Sequence, residues 1–384
     1  MKDFRLANLA RLIVRHSLML NSGESVLIDA IEDCEQLIIA VLDAIAEVGG
    51  NSYVLHQSLP VSRAWLMGAT DSNLLHWYDQ MLPLRRQADC YLCIRGQDNS
   101  YELADVPLET MRKFGALTMK LRHEGKKPGA RSTLIRFPSK SLAQQSGMST
   151  EAFTTHFFNA CAINYPVLAR EMESLKVCLD SSSDVRIVAP GTDLSFSIAG
   201  ITCGISAGTW NIPDGEAAME IVRESANGRI AYNIPSNHLG HVYRDIALEF
   251  RQGRVMHVEG SSSERMEAIL DTDEGARYIG EFAVGVNPYL RHHITDTLFD
   301  EKMAGSFHFT PAGTDSNGVR SLVHWDIIQS HLPHYGGGEI YLDGRLWRKN
   351  GLFVGEQLAR LNPDELASTL DASPIWSSSG AELE

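Results

Sequence analysis

The chain has 384 residues, 44% of them hydrophobic and 21% charged, with a formal net charge of −14 at neutral pH. That balance excludes a disordered chain and leaves room for two domains with sizeable cores. The negative charge counts against a nucleic-acid or anionic-membrane partner. No run approaches 18 consecutive apolar residues, and Met1-Lys2-Asp3-Phe4-Arg5 opens into an amphipathic segment without a secretory core, so no membrane span is expected and a cytoplasmic location is.

In chain order, apolar residues at helical spacing predict a helix over 5–17. A short apolar strand follows at 25–30, then a helix over 33–48 stopped by Gly49-Gly50. Strands are expected at 53–55, 90–95 and 133–137, with helices near 70–87 and 106–121 between them. Such alternation argues for a parallel α/β sheet. Two more helices are expected near 149–158 and 160–174. The polar run Leu179 to Asp184 marks the expected domain boundary, giving an α/β domain over 1–180 and a β-rich α+β domain over 181–384. Beyond it, strands are read at 185–189, 193–198, 229–233, 245–251, 254–258, 304–309, 339–343 and 346–354, with one helix near 272–284. Asp343-Gly344 and Asn350-Gly351 are hairpin-turn dipeptides. The tail from Ser377 to Glu384 reads as frayed.

The six cysteines are scattered through apolar runs, as buried thiols of a reducing compartment would be. Cys90 and Cys93 form a C-x-x-C, but on a strand residues three apart face opposite sides, and no second pair completes a zinc site. Walker, GxGxxG and HExxH patterns are absent, and Gly336-Gly337-Gly338 precedes a strand and reads as a turn.

The second half holds a different signal. Glu216, Glu281, His308, His324 and Asp326 each lie among apolar or small residues. Taken singly, each is more simply a satisfied polar group. Taken together, three carboxylates and two imidazoles are a donor set for divalent metal, and could hold two ions a few ångströms apart. On a strand, His324 and Asp326 would project to one face.

At these residues the chain resembles the leucyl aminopeptidase family of aminopeptidases T, S and II, which are dinuclear metallo-exopeptidases. The matching segments are Val188–Phe196, Asn211–Glu216, Asp271–Gly280, Glu281–Pro288, Gly305–Phe309 and His324-Trp325-Asp326, with a similar opening at Leu18–Ile28. The resemblance covers most of the chain and is strongest over 185–356. It implies that Glu216, Glu281, His308, His324 and Asp326 bind zinc, cobalt or manganese, with Glu216 and Glu281 at the catalytic centre. It also implies short peptides or small amides as substrates and a homodimeric assembly.

Two departures stand out. The family's tyrosine after the first ligand histidine is missing from Phe309–Asp315, which removes a candidate stabiliser of the tetrahedral intermediate. And His238 and His241 stand where the family is commonly aromatic and basic; they are candidate substrate-binding or general-base residues, or an exposed loop pair. A mononuclear iron(II) ring-cleaving dioxygenase acting on a dihydroxypyridine is similar to the same fold and is the alternative, although there one or both glutamates would be expected to change. A catalytically inert binding homologue is the third reading.

Overall fold

The computed structural model describes residues 3–311 and 321–373. Its first layer is a five-stranded parallel sheet in the order Asn51–Gln57, Ser25–Glu32, Cys90–Gly96, Arg131–Arg136, Asn211–Ile212. Burial along Cys90–Gly96 alternates residue by residue, because helices cover both faces unequally. The expected helices are present as Phe4–Leu12 with a π-helical turn to Ser17, Glu35–Glu47, Asp71–Gln87, Leu108–Glu124, Thr150–Cys161 and Tyr165–Asp180. Thr70 caps the third of these through a reciprocal bond with Asn73. No cysteine is in a disulfide, and Cys90 is more deeply buried than Cys93.

After residue 183 the chain builds antiparallel sheets. One has eight strands, ordered Arg254–Glu259, Ala247–Arg251, Asn227–Ala231, Thr192–Ser197, Asp184–Ala189, Glu339–Leu342, Arg345–Lys349, Leu352–Phe353. Both hairpin dipeptides turn as expected, with positive φ at Asp343 and Gly344 and at Asn350 and Gly351. The other sheet has five strands, ordered Ile327–Ser330, Ser306–Pro311, Ile279–Gly285, Glu216–Met219, Gly204–Ser206. The two sheets meet through aromatic rings. Phe196 packs on Phe282 and Phe309 at centroid separations of 5.1 and 5.2 Å. Burying a side chain of this size contributes about 1.5–3 kcal/mol. Arg348, wholly buried, donates to the carbonyl oxygens of Ser306 at 2.7 Å and Gly351 at 3.1 Å, which links the eight-stranded sheet to its five-stranded neighbour. Among the described residues, no helix is long and apolar enough to cross a membrane.

Three sequence expectations are corrected. The helix near 272–284 is absent: a helix ends earlier, at Ser263–Leu270, a single 3-10 turn spans Glu274–Arg277, and Ile279–Gly285 is a central strand. Gly275, Gly280 and Gly285 weaken a helix here, and Phe282-Ala283-Val284 pairs with strands on both sides. His324 and Asp326 are not on a strand but in the irregular segment before Ile327–Ser330. The region read as 346–354 is two short strands. The chain also crosses back over the break near 180: Asn211–Ile212 pairs in parallel with Arg131–Arg136 at the edge of the first sheet. The tail from Ser377 lies outside the described residues.

Candidate functional site

The five-stranded antiparallel sheet has two unlike faces. Phe282, Phe307 and Phe309 point to the aromatic core, and the residues alternating with them point the other way. Register aligns that second face. Glu216 lies opposite Gly285, Ala283 opposite His308, and Glu281 opposite Thr310. Residues directly opposite on neighbouring strands share a side. A bulge at Gly280 shifts the pairing so that Ile279 meets Pro311 and Glu281 meets Thr310. Glu281 lies on the regular side of that bulge, so alternation with Phe282 alone puts it on the site face.

These contacts gather the five metal-site candidates into two groups. The His308 Nε2 atom is 3.3 Å from Glu281 Oε1 and 4.0 Å from Glu216 Oε2. His324 Nε2 is 3.4 Å from Asp326 Oδ2, and Thr310 donates its hydroxyl to Asp326. Glu216, His308 and Asp326 are buried, Glu281 is half-buried and His324 is exposed at the rim. Trp325 holds the His324–Asp326 pair in place. Its indole N–H donates to Ser236 at 2.8 Å, and its ring packs on His238 and Tyr243 at 5.0 and 4.9 Å.

Two residues were not legible as site residues in the sequence. A short helix, Thr297–Asp300, ends in a turn that drops Glu301 and Lys302 onto the same face. Ligand atoms of Glu301, His308 and Asp326 all lie within 4.8 Å of one another. The Lys302 ammonium contacts Glu216, lies 2.8 Å from Glu301 and 3.8 Å from Asp214, and is itself buried. The run Asp300-Glu301-Lys302 looks like a solvated helix end. The clue to its burial is its place between Leu298-Phe299 and Met303-Ala304-Gly305.

The turn reaches the sheet because Gly285 has no side chain. A Cβ there would lie 2.5 Å from the Met303 carbonyl oxygen and 2.6 Å from that of Glu301. Backbone cannot yield as a flexible side chain can. Gly285→Ala is therefore expected to cost about 1–3 kcal/mol and to displace Glu301. Chemical denaturation checks the first and metal affinity the second; an unaltered variant in both would show that the turn is not held by this contact.

The two candidate histidines part company. His238 and His241 face each other across a two-residue turn, Leu239-Gly240, with φ of 51° and 75°. His238 stacks on Trp325, and burial pushes its imidazole down to about 4, against the pull of Asp326. His241 instead shares a hydrogen bond with Ser262 and packs on Tyr243. The stretch that lacks the tyrosine falls partly outside the described residues; Phe309 to Pro311 continue the strand, and Thr310 reaches Asp326.

The electrostatics are those of a cation site. Asp214, Glu216, Glu281, Glu301 and Asp326 crowd one region with Lys302, His308 and His324 for company. Burial pushes Asp214 up to about 7 and Glu301 up to about 8, despite Lys302 beside them. Against the cost of burial, Glu281, Glu216 and Asp326 push His308 up to about 9. Asp326 pushes His324 up to about 9. Burial works against the charge on Asp326, yet His324 holds it well below the usual carboxylate range. Glu216 Oε2 and His308 Nδ1 are buried without a hydrogen-bond partner. Five carboxyl groups against three basic ones, with an unpartnered carboxylate oxygen among them, fit divalent metal.

A cleft of about 460 Å³ opens onto this face, lined by Glu281, Thr310 and His324 on one side and Met119 and Arg122 on the other. The second group comes from the last turns of Leu108–Glu124, a helix of the first layer.

The family model for thermophilic metalloproteases (M29) matches residues 2–332. Aminopeptidase T of Thermus aquaticus is 29% identical over 184 residues, 41% of this chain and 44% of that protein. Aminopeptidase 2 of Geobacillus stearothermophilus is 32% identical over 154 residues, 35% of this chain and 36% of that protein. The chain thus spans less than half the length of these curated relatives. Among solved structures, wild-type AmpT from Thermus thermophilus aligns with a TM-score of 0.74 at 22% identity, covering 91% of this chain and 99% of that one. The 2,5-dihydroxypyridine dioxygenase of Pseudomonas putida KT2440 aligns with a TM-score of 0.59 at 14% identity, covering 92% and 98%. At those identities the two structures have the fold in common.

Proposed function

The chain belongs to the thermophilic metalloprotease (M29) family, and from that premise we propose that it is a metal-dependent aminopeptidase releasing N-terminal residues from short peptides. The observation that carries the reading is the buried excess of carboxylate around Glu301, His308 and Asp326. Glu216, Glu281, His308, His324 and Asp326 would hold two divalent ions, zinc, cobalt or manganese, with Glu301 as a further donor. Bound ions would polarise the scissile carbonyl and acidify the attacking water.

The chain's own residues supply the rest. The carboxylates give the substrate's α-ammonium an anionic end to face. Glu281, half-exposed at the cleft, would take a proton from the attacking water and pass it to the leaving amine. Lys302 holds Glu216 and Glu301 apart from Asp214's charge and orients both. Trp325, pinned by Ser236, aims His324 and Asp326. His238, neutral behind Trp325, supports that ring rather than moving a proton. Unpaired thiols support a reducing, cytoplasmic setting, and a homodimer is part of the same proposal.

Dialysis against a strong chelator is expected to abolish hydrolysis of aminoacyl anilides and dipeptides, and zinc, cobalt or manganese to restore it. Elemental analysis should then give two equivalents per chain. One equivalent of iron, with oxygen uptake on a dihydroxypyridine, would replace the hydrolase reading by the dioxygenase. No metal after reconstitution and no turnover would leave an inert homologue.

A further inference from the structure

The cleft at the candidate site does not end at Arg122. A second hollow of about 210 Å³ shares Arg122 with it and is lined by Arg85, Tyr91, Lys126 and Trp210. Arg85 lies over the Tyr91 ring at 3.7 Å and Lys126 over Trp210 at 5.0 Å. Among the described residues, none of Arg85, Arg122 and Lys126 has a carboxylate partner, in a chain whose net charge is −14. A helix C-terminus favours a basic residue in its last turn, which accounts for Arg122 as a residue type. It does not account for Arg85, which comes from another helix, or for Lys126, which follows the helix, converging on one hollow.

The cleft and hollow together are polar in a definite sense. One end offers Glu281 and its neighbouring carboxylates; the other offers unpaired guanidinium and ammonium groups flanked by aromatic rings. A short peptide with free ends has the opposite polarity, an ammonium at the end to be cleaved and a carboxylate at the other. We propose that Arg122, backed by Arg85 and Lys126, docks the free C-terminal carboxylate of the substrate, which makes unblocked short peptides the preferred substrate class. This rests on the aminopeptidase reading and adds a specificity residue from the first layer. Arg is suited to the task because its planar fork matches a carboxylate.

The test compares a tripeptide with its C-terminal amide. The metal-loaded wild type is expected to favour the free acid by roughly tenfold or more in kcat/KM, mainly through KM. Arg122→Gln should collapse that ratio toward one, whereas Lys140→Gln, which removes a positive charge elsewhere, should leave it. Equal use of acid and amide by the wild type, or a ratio that survives Arg122→Gln, overturns the proposal. Calorimetric binding of the same pair separates the two readings. A protein that binds the free acid more tightly but turns over neither peptide refutes the peptidase while keeping the carboxylate dock. One that binds both equally refutes the dock.

Discussion

Asp326→Asn is expected to abolish peptide hydrolysis and lower metal content while leaving the fold intact. The amide has the carboxylate's shape and can still accept the Thr310 hydroxyl, so packing is preserved. What it lacks is charge, and charge is what His324 faces at 3.4 Å and what Glu301 and His308 share within 4.8 Å. The fall in kcat/KM should exceed the roughly 10–100-fold that follows loss of a residue that merely orients a ligand. Glu281→Gln should behave alike, with still less effect on stability, because Glu281 is half-exposed. Elemental analysis alongside kinetics checks both. Wild-type activity in the two variants would remove these residues from the site.

Lys302→Met is expected to act on the fold first. The ammonium is buried against Glu216, Glu301 and Asp214, and methionine fills a similar volume without the charge. Removing one partner from a buried ionic cluster costs about 3–5 kcal/mol, because the remaining charges are left uncompensated. Here three carboxylates would face one another at the point where Glu216–Met219 meets Ile279–Gly285. Urea unfolding of the metal-free protein measures the loss directly. A change under about 1 kcal/mol would mean that the cluster is largely protonated in the folded chain and that Lys302 is not its counterion.

The first layer was legible because each buried parallel strand is a short apolar run bounded by helical spacing, as Val26-Leu27-Ile28 and Leu92-Cys93-Ile94 illustrate. Glu216, Glu281, His308, His324 and Asp326 were legible as a set through resemblance; their adjacency was not. It depends on strand register, which is a tertiary fact. The helix expected over 272–284 failed because the short run Ile279 to Gly285, broken by Glu281, suits either period, and the pairing strands decide between them. His324 and Asp326 meet without a strand because Trp325 between them is anchored in the core. Glu301 and Lys302 were missed because a run of charges ordinarily lies in water, whereas this one is held inward by the bare backbone of Gly285 and neutralised within itself.

The return of the chain at Asn211–Ile212 has a mechanical consequence. Those two residues are hydrogen-bonded into the first sheet, and after Pro213, Asp214 and Gly215 the next residue is Glu216, on the site face of another sheet. Asp214 between them is clamped by the backbone N–H groups of Gly208 and Gly215 at 2.7 and 2.9 Å. This is a strut, not a hinge. The two walls of the cleft, Glu281 and His324 on one and Arg122 on the other, cannot swing apart there without tearing a ladder or moving Glu216. On the aminopeptidase reading, a site braced in this way would size its peptides as a fixed gauge does, by what can thread the aperture.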